Sequence, residues 1–392
     1  MSWERKQLED VADFTLGKML DQKKNKGEPL PYLANINVRW GSFDLDDLRQ
    51  MRFEHHEAER FGLKVGDIVM CEGGEPGRCA IWKDYQPRMM IQKALHRIRP
   101  HDGLDNRFLF YTFLHKGKTG GFSPLFTGAT IKHLPKEKLA KLEVDIPPLP
   151  TQQRIATILT AYDDLIENNR RRIHLLEQAA RLLYKEWFVH LRFPGHEHVK
   201  IKDGVPEGWE KKSFSDIATF LNGFAFKPSH LGELGLPIVK IPELRDGPTA
   251  KTPRNTGDRV PEKYLLESGD ILFSWSGTLL VNTWNHGKAL LNQHLFKVTP
   301  GAPKLRSLVY LSLNSALAEF QSQTVGSTMK HIRKDALEKV LVFVPSKVLL
   351  DEFESVAAPV LEQVSILQKQ NSGLAKVRDL LLQRLMNGNL VI

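Results

Sequence analysis

Cysteine is almost missing from this 392-residue chain: only Cys71 and Cys79 occur, close together in one segment. With no third or fourth partner nearby, a disulfide framework and a thiolate metal site are both excluded, and buried or idle thiols in a reducing cytoplasm are expected. Long apolar runs are absent as well. Leu382 to Met386 and Val340 to Pro345 contain or abut charges and fall far short of the ~20 residues a membrane span needs, so no membrane partner is expected. Trp3-Glu4-Arg5-Lys6 brings charge to the start of the sequence, where an export signal would carry an apolar stretch.

Several catalytic signatures are lacking too. No Gly-rich loop ends in Gly-Lys-Ser/Thr, so an ATP cradle is unsupported. Pro147-Pro148 is flanked by Ile146 and Leu149, whereas an amino-methyltransferase needs a polar residue and an aromatic around the pair. His56-Glu57 opens a metalloprotease-like pattern, but Arg60 stands where the second ligand belongs. His196-Glu197-His198 lies in a polar linker, and Glu210-x-Lys212 has no acidic companions of the kind a nuclease requires. No metal, cofactor or catalytic residue is expected, and a stand-alone methyltransferase or nuclease is the disfavoured alternative.

What is present is globular material: 41% of residues are apolar and 26% charged, with a net charge of +9. That surplus favours an acidic partner, nucleic acid first. The decisive feature is an internal duplication. Trp3-Glu4-x-Lys6 and Asp10-Val11-Ala12 return as Trp209-Glu210-x-Lys212 and Asp216-Ile217-Ala218, 206 residues on. Gly17 and Gly223, and Pro31 and Pro237, keep that offset. Gly66-Asp67-Ile68-Val69 answers Gly269-Asp270-Ile271-Leu272 at 203, and Gly128 to His133 answers Gly326 to His331 at 198. Chance supplies one such match but not a collinear series whose offset only shrinks.

Each copy begins with short strand-like runs broken by turn clusters such as Glu72 to Gly77, which predicts an α+β domain with several loops. Each continues into helix after a Pro-rich junction at Pro147-Pro148 or Pro345. Boundaries are expected at 1–150, 151–195, 196–345 and 346–392. A break near 160 and 358 is also expected, because Pro359 of the second copy aligns with Ala161 and proline disrupts a helix interior. The long helix carries a 4-3 apolar spacing at Tyr162, Ile166, Asn169, Ile173, Leu176, Ala180, Leu183 and Trp187. At the same offset stand Val360, Val364, Leu367, Asn371, Leu374, Arg378, Leu381 and Leu385. The spacing predicts a coiled-coil seam between two antiparallel helices, with two domains related by a pseudo-two-fold axis. Asn169 faces either Asn371 or, one heptad away, Arg378. About 28 helical residues make a rod of ~42 Å, slightly longer than the ~34–36 Å of one duplex turn, so the helices can act as a ruler.

The segments Asp145 to Leu159 (DIPPLPTQQRIATIL), Asp163 to Ile173 (DDLIENNRRRI) and Leu175 to Phe188 strongly resemble the central conserved region of Type I restriction–modification specificity subunits. Gly128 to Leu134 (GATIKHL) and its echo at Gly326 to Ile332 resemble the end of their target-recognition domains. The resemblance spans nearly the whole chain. It departs at Gln152-Gln153, where the family commonly has Glu-Gln, and along the second helix, which keeps little beyond its apolar pattern. It implies a non-catalytic cytoplasmic subunit reading a split, asymmetric double-stranded DNA target. Two modification (methyltransferase) subunits would dock on the helices, with restriction/translocase subunits joining them. S-adenosylmethionine, ATP and magnesium would belong to those partners.

Sequence reading needs donors and acceptors on rigid supports, whereas Lys and Arg on phosphates fix register. Thr130, Lys132 and His133, matched by Thr328, Lys330 and His331, are alike in both copies and are expected to grip the backbone. Base reading is expected where the copies differ. In the first copy the candidates are Arg39, Trp40, Arg52, Glu75 and Arg78. In the second they are Arg245, Lys251 and Arg254, placed in a polar loop, and Trp275-Ser276 after a strand. A purely structural coiled-coil adaptor is the remaining alternative.

Overall fold

The computed structural model describes residues 3–21, 25–323, 331–332 and 335–390. They form two compact units, Met1–Asp164 with Ala375–Ile392, and Leu165–Leu374. The division follows packing and not chain order, since the end of the C-terminal helix belongs with the first unit.

The duplication reappears as topology. In the first unit a four-stranded antiparallel sheet runs Ala12–Leu16, Leu95–Pro100, Ile68–Cys71, Cys79–Ile81. In the second the order is Ala218–Asn222, Leu295–Pro300, Ile271–Ser274, Val281–Thr283. The registers also agree: Ala12 faces Pro100 and Ile68 faces Ile98, as Ala218 faces Pro300 and Ile271 faces Val298. Each copy adds a short parallel pairing, Leu33 with Ile91 and Val239 with Leu291.

The glycines at matched offsets now have a cause. A Cβ on Gly17 would stand 2.4 Å from the backbone carbonyl of Gln92, and one on Gly223 would stand 2.2 Å from the carbonyl oxygen of Asn292. The chain crosses there at backbone contact, through the Lys18–Gln92 and Phe224–Asn292 bridges, and a side chain has no room. The Gly-Asp-Ile runs likewise share one device. Asp67 accepts from the Lys64 amide and binds Arg99 through both oxygens at 2.7 Å. Asp270 accepts from the Glu267 amide and pairs with Lys297 at 2.8 Å. Both pin a turn to the neighbouring strand.

A helix covers each sheet. Asn106–Thr119 buries Phe108, Leu109 and Phe113. It starts on the Asp105 carboxylate, which accepts from the Arg107 and Phe108 amides, and stops at left-handed Gly120. Its counterpart, Arg306–Ser315, has an apolar N-cap, Leu305, takes its first-turn acceptor from Glu354, which accepts from the Ser307 amide, and gives way to a second short helix, Leu317–Ser322.

The two long helices depart from expectation. The central helix runs unbroken from Leu149 to Tyr184, 36 residues, and widens into a π-turn over Lys185–Val189. The C-terminal helix runs Lys347–Met386, 40 residues, with Pro359 inside it. The expected break near 160 and 358 does not occur. Position 161 is alanine, and at Pro359 both the proline and Ser355, whose carbonyl lost its donor, are exposed to water, so solvation replaces the missing bond. At ~1.5 Å per residue the central rod is ~54 Å long, not ~42 Å.

Within each unit the helical segments pair antiparallel. In the first, Ile155, Ala156 and Leu159 share a core with Leu382 and Leu385. In the second, Ala180, Tyr184 and Trp187 share one with Leu350, Phe353 and Ala357. Of the expected seam residues, Ile166, Asn169, Ala180, Trp187, Val364, Leu367 and Leu385 are buried. Tyr162, Ile173, Leu176, Leu183, Val360, Asn371, Leu374, Arg378 and Leu381 are half-buried. The register question has a geometric answer: Asn169 donates to Asn371 at 3.0 Å, and Arg378 faces Asp163. Among the described residues no helix is long and apolar enough to cross a membrane.

Candidate nucleic-acid interface

In the first copy three loops meet beyond the strands Ile68–Cys71 and Cys79–Ile81. The turn 127–133 folds back on itself through two backbone bonds between Thr127 and His133. Gly128 adopts φ +91°, and a Cβ there would strike the Ile131 carbonyl at 2.2 Å, so glycine is required for so tight a turn. His133 bridges to Gly73, and the Leu134 amide donates to the Glu72 carbonyl at 2.8 Å. His96, wholly buried, holds the Leu134 carbonyl at 2.8 Å through Nε2. This rigid base leaves Thr130, Lys132 and His133 exposed together, with the Lys132 ammonium 5.9 Å from the Phe126 ring centre.

The neighbouring loops carry the first-copy candidates. Trp40 donates through Nε1 to Glu75 at 3.1 Å, and its ring lies over Gly117 of the covering helix. Glu75 also accepts from Arg78 at 3.0 Å, while Arg78 reaches the Asn35 carbonyl at 2.8 Å. With only 16% of its side chain exposed, Arg78 uses its two terminal nitrogens to tie two loops together. Cys71 behind it has its pKa raised by burial, partly offset by the Arg78 charge. Arg39, on the short strand Val38–Arg39, pairs with Asp44 at 3.1 Å yet stays half exposed. Arg52 lies apart, on the strand Arg49–Phe53, bonded to the Gly27 carbonyl at 2.8 Å.

The second copy repeats the base. Ser276 bridges to His331, and the Ile332 amide donates to the Trp275 carbonyl at 2.9 Å. Trp275 donates through Nε1 to Asn222 and to the Gln293 carbonyl, both at 3.0 Å. Ser276 meets His294 Nδ1 at 2.9 Å, and burial, then the His331 and Lys240 charges, lower the His294 pKa. Thr328 and Lys330 lie outside the described residues. Arg245, Lys251 and Arg254 do not share one loop. Arg245 is exposed on the helix Ile241–Asp246, and Arg254 sits on the strand Arg254–Asn255, bonded to the Gly235 carbonyl at 2.8 Å. Exposed Lys251 lies between them.

Two anchoring residues were not among the expected site residues. Gln152 is buried, accepts from the Asp105 amide at 2.9 Å and donates to the Gly103 and Pro147 carbonyls. A glutamate there could not donate both bonds, so this departure from the family pattern has a local rationale. Lys18 is buried against Glu57 at 2.5 Å and the Arg52 carbonyl at 2.9 Å. Glu54, His56 and Glu57 come close enough to share a cation, but Glu57 already serves Lys18 and the Glu54 amide as the cap of the helix His55–Phe61.

The family model for the Type I restriction modification DNA specificity domain matches residues 1–178 and 206–349. The chain belongs to this family. Among specificity-subunit relatives, that of the Type I restriction enzyme MjaIX of Methanocaldococcus jannaschii is 24% identical, over 99% of this chain and 93% of its own length. The HindI specificity subunit of Haemophilus influenzae is 22% identical, over 98% of this chain and all of its own. A solved structure, the Type I restriction-modification S subunit from M. genitalium, is similar in fold with a TM-score of 0.57. It is 17% identical and covers 98% of this chain and 96% of that one. This specificity-family membership accounts for the two matched match segments, which follow the duplicated copies.

Proposed function

We propose that this chain is the non-catalytic, sequence-reading subunit of a cytoplasmic restriction–modification assembly, and that each copy reads one half of a split, asymmetric DNA target. One observation carries the reading: two scaffolds with the same strand order and register each bridge a histidine of the repeated segment, His133 to Gly73 and His331 to Ser276, while the surrounding loops differ in every candidate base reader. The shared turn (Thr130, Lys132, His133; Thr328, Lys330, His331) grips phosphate. Arg39, Trp40, Glu75, Arg245 and Lys251 supply base contacts, whereas buried Ser276, bonded to His294, and Trp275, whose Nε1 bonds within the fold, set loop shape and do not read bases. Arg78, Arg52 and Arg254, bonded to backbone carbonyls, act chiefly by setting loop shape.

The long helices are the surface for two modification subunits, with restriction subunits joining them. Leu165, Leu175 and Leu182 of the central helix and Val348, Val356, Ile366 and Leu380 of the C-terminal helix stay 41–68% exposed, apolar area that a partner would cover. Methyl transfer and ATP-driven steps, with S-adenosylmethionine, ATP and magnesium, belong to those partners. The test is methylome sequencing of cells carrying this chain with its cognate modification subunit, before and after residues 1–145 are exchanged for another reader. A split motif in which the exchange alters one half supports the reading; a short continuous motif, or unaltered specificity, refutes it. Methyl transfer by the purified chain alone would refute the non-catalytic role.

A further inference from the structure

We propose that the polar residues of the helical seam form a pairing code, which makes each duplicated helix accept the helix of the other copy and reject a second copy of itself. Duplication creates the problem. Two helices with the same apolar spacing can pair with each other or with their own equivalents from another chain, and apolar contact hardly distinguishes the choices.

The structure shows two polar contacts across the seam. In the second unit Asn169, 7% exposed, donates to Asn371 at 3.0 Å, and Asn371 reaches the Ile166 carbonyl at 3.5 Å. In the first unit Arg378 binds Asp163 at 2.5 Å, with Asp163 also accepting from Tyr111 at 2.7 Å. Arg378 turns its other face to Asp379 at 2.8 Å. Although burial works against the charge, Asp163 and Asp379 raise the Arg378 pKa, so the guanidinium stays ionised and needs its partner.

The duplication then decides what self-pairing would meet. At the shared offset, Asn371 corresponds to Ile173, Arg378 to Ala180, Asn169 to Leu367 and Asp163 to Leu361. Two central helices in this antiparallel register would set Asn169 against Ile173 and Asp163 against Ala180. Two C-terminal helices would set Asn371 against Leu367 and Arg378 against Leu361. Every polar group of the code loses its partner across the seam in either self-pairing, Asp163 being left with Tyr111 and Arg378 with Asp379, and the cross-seam bonds form together only in the mixed pair. Leaving such groups unpaired is costlier than never having them. The partner this seam fits is therefore the other half of the same chain.

The experiment uses the full chain, with mass from light scattering across a micromolar concentration series and the thermal midpoint as second readout. The wild type is expected to keep the mass of one chain. D163R is expected to lower the midpoint and add a heavier species, and D163R/R378D to restore both. An apolar seam, N169L/N371L/D163L/R378L, is expected to stay folded but to become a concentration-dependent mixture of masses. An apolar-seam chain as strictly monomeric as the wild type would overturn the proposal. So would a double swap no better than D163R, or a wild type already dimeric through this seam.

Discussion

Replacing Asp67 by alanine tests whether the repeated Gly-Asp-Ile turn is held by its carboxylate. Asp67 is 1% exposed and makes three bonds, two to Arg99 at 2.7 Å each and one from the Lys64 amide at 2.7 Å. Breaking a buried pair from one side costs about 3–5 kcal/mol. Arg99 keeps 31% of its side chain in water and can partly rehydrate, which lowers that share to about 2 kcal/mol. The orphaned Lys64 amide adds about 1 kcal/mol, so D67A should cost about 3 kcal/mol in the first unit, or roughly a hundredfold in opening equilibrium. The second copy is an internal control. Asp270 and Lys297 are 21% and 24% exposed and share a single contact, and the Glu267 amide that Asp270 also accepts from is exposed and turns to water when the carboxylate is removed, so D270A should cost about 1 kcal/mol. Amide hydrogen exchange of the strands Ile68–Cys71 and Ile271–Ser274 reads the two sites separately. D67N, which keeps an acceptor for the Lys64 amide, should fall between the wild type and D67A. Equal losses at the two sites, or a D67A effect below about 1 kcal/mol, would refute the assignment.

Glycine positions give opposite signs. G17A should cost about 2 kcal/mol or more, because its Cβ would press on the Gln92 backbone. G373A, in open space on the C-terminal helix, should gain about 0.8–1 kcal/mol; thermal unfolding checks both. His96 carries a pH signature. Burial, countered in part by its bond to the Leu134 carbonyl, lowers its pKa from 6.5, so the unfolded chain binds its proton more readily. Its contribution is then fully present above pH 6.5 and is lost as pH falls through the lower folded value, and H96F should flatten the acid limb of a stability–pH profile. Lys132→Ala should weaken DNA binding alike on all sequences and reduce the salt slope by about 1. A loss confined to the cognate site would show that Lys132 reads bases.

The sequence by itself determined the duplication, the α+β strand-and-turn character of each copy, the helical seam and the family. The first three rest on local spacing, a 4-3 apolar rhythm and a Gly-Asp turn that repeat where the backbone does the same thing twice, and the family rests on the likeness of whole segments. The seam register was open because Asn371 and Arg378 lie one heptad apart, and only packing chose Asn169–Asn371 with Asp163–Arg378. The helix break does not occur because a proline's cost depends on whether the freed carbonyl can be hydrated, and Ser355 and Pro359 are both on the exposed side of the helix. Lys18 gave no signal and Gln152 only a departure from the family pattern, since a lone polar residue looks solvated until the tertiary fold buries it among partners from distant segments. Tertiary structure likewise divided the candidate readers. Exposed Lys132 and Arg245 are held out by their elements, while Arg78 is drawn into the loops it ties, because a guanidinium within reach of a free carbonyl and a carboxylate bonds to them inside the fold before it meets a ligand.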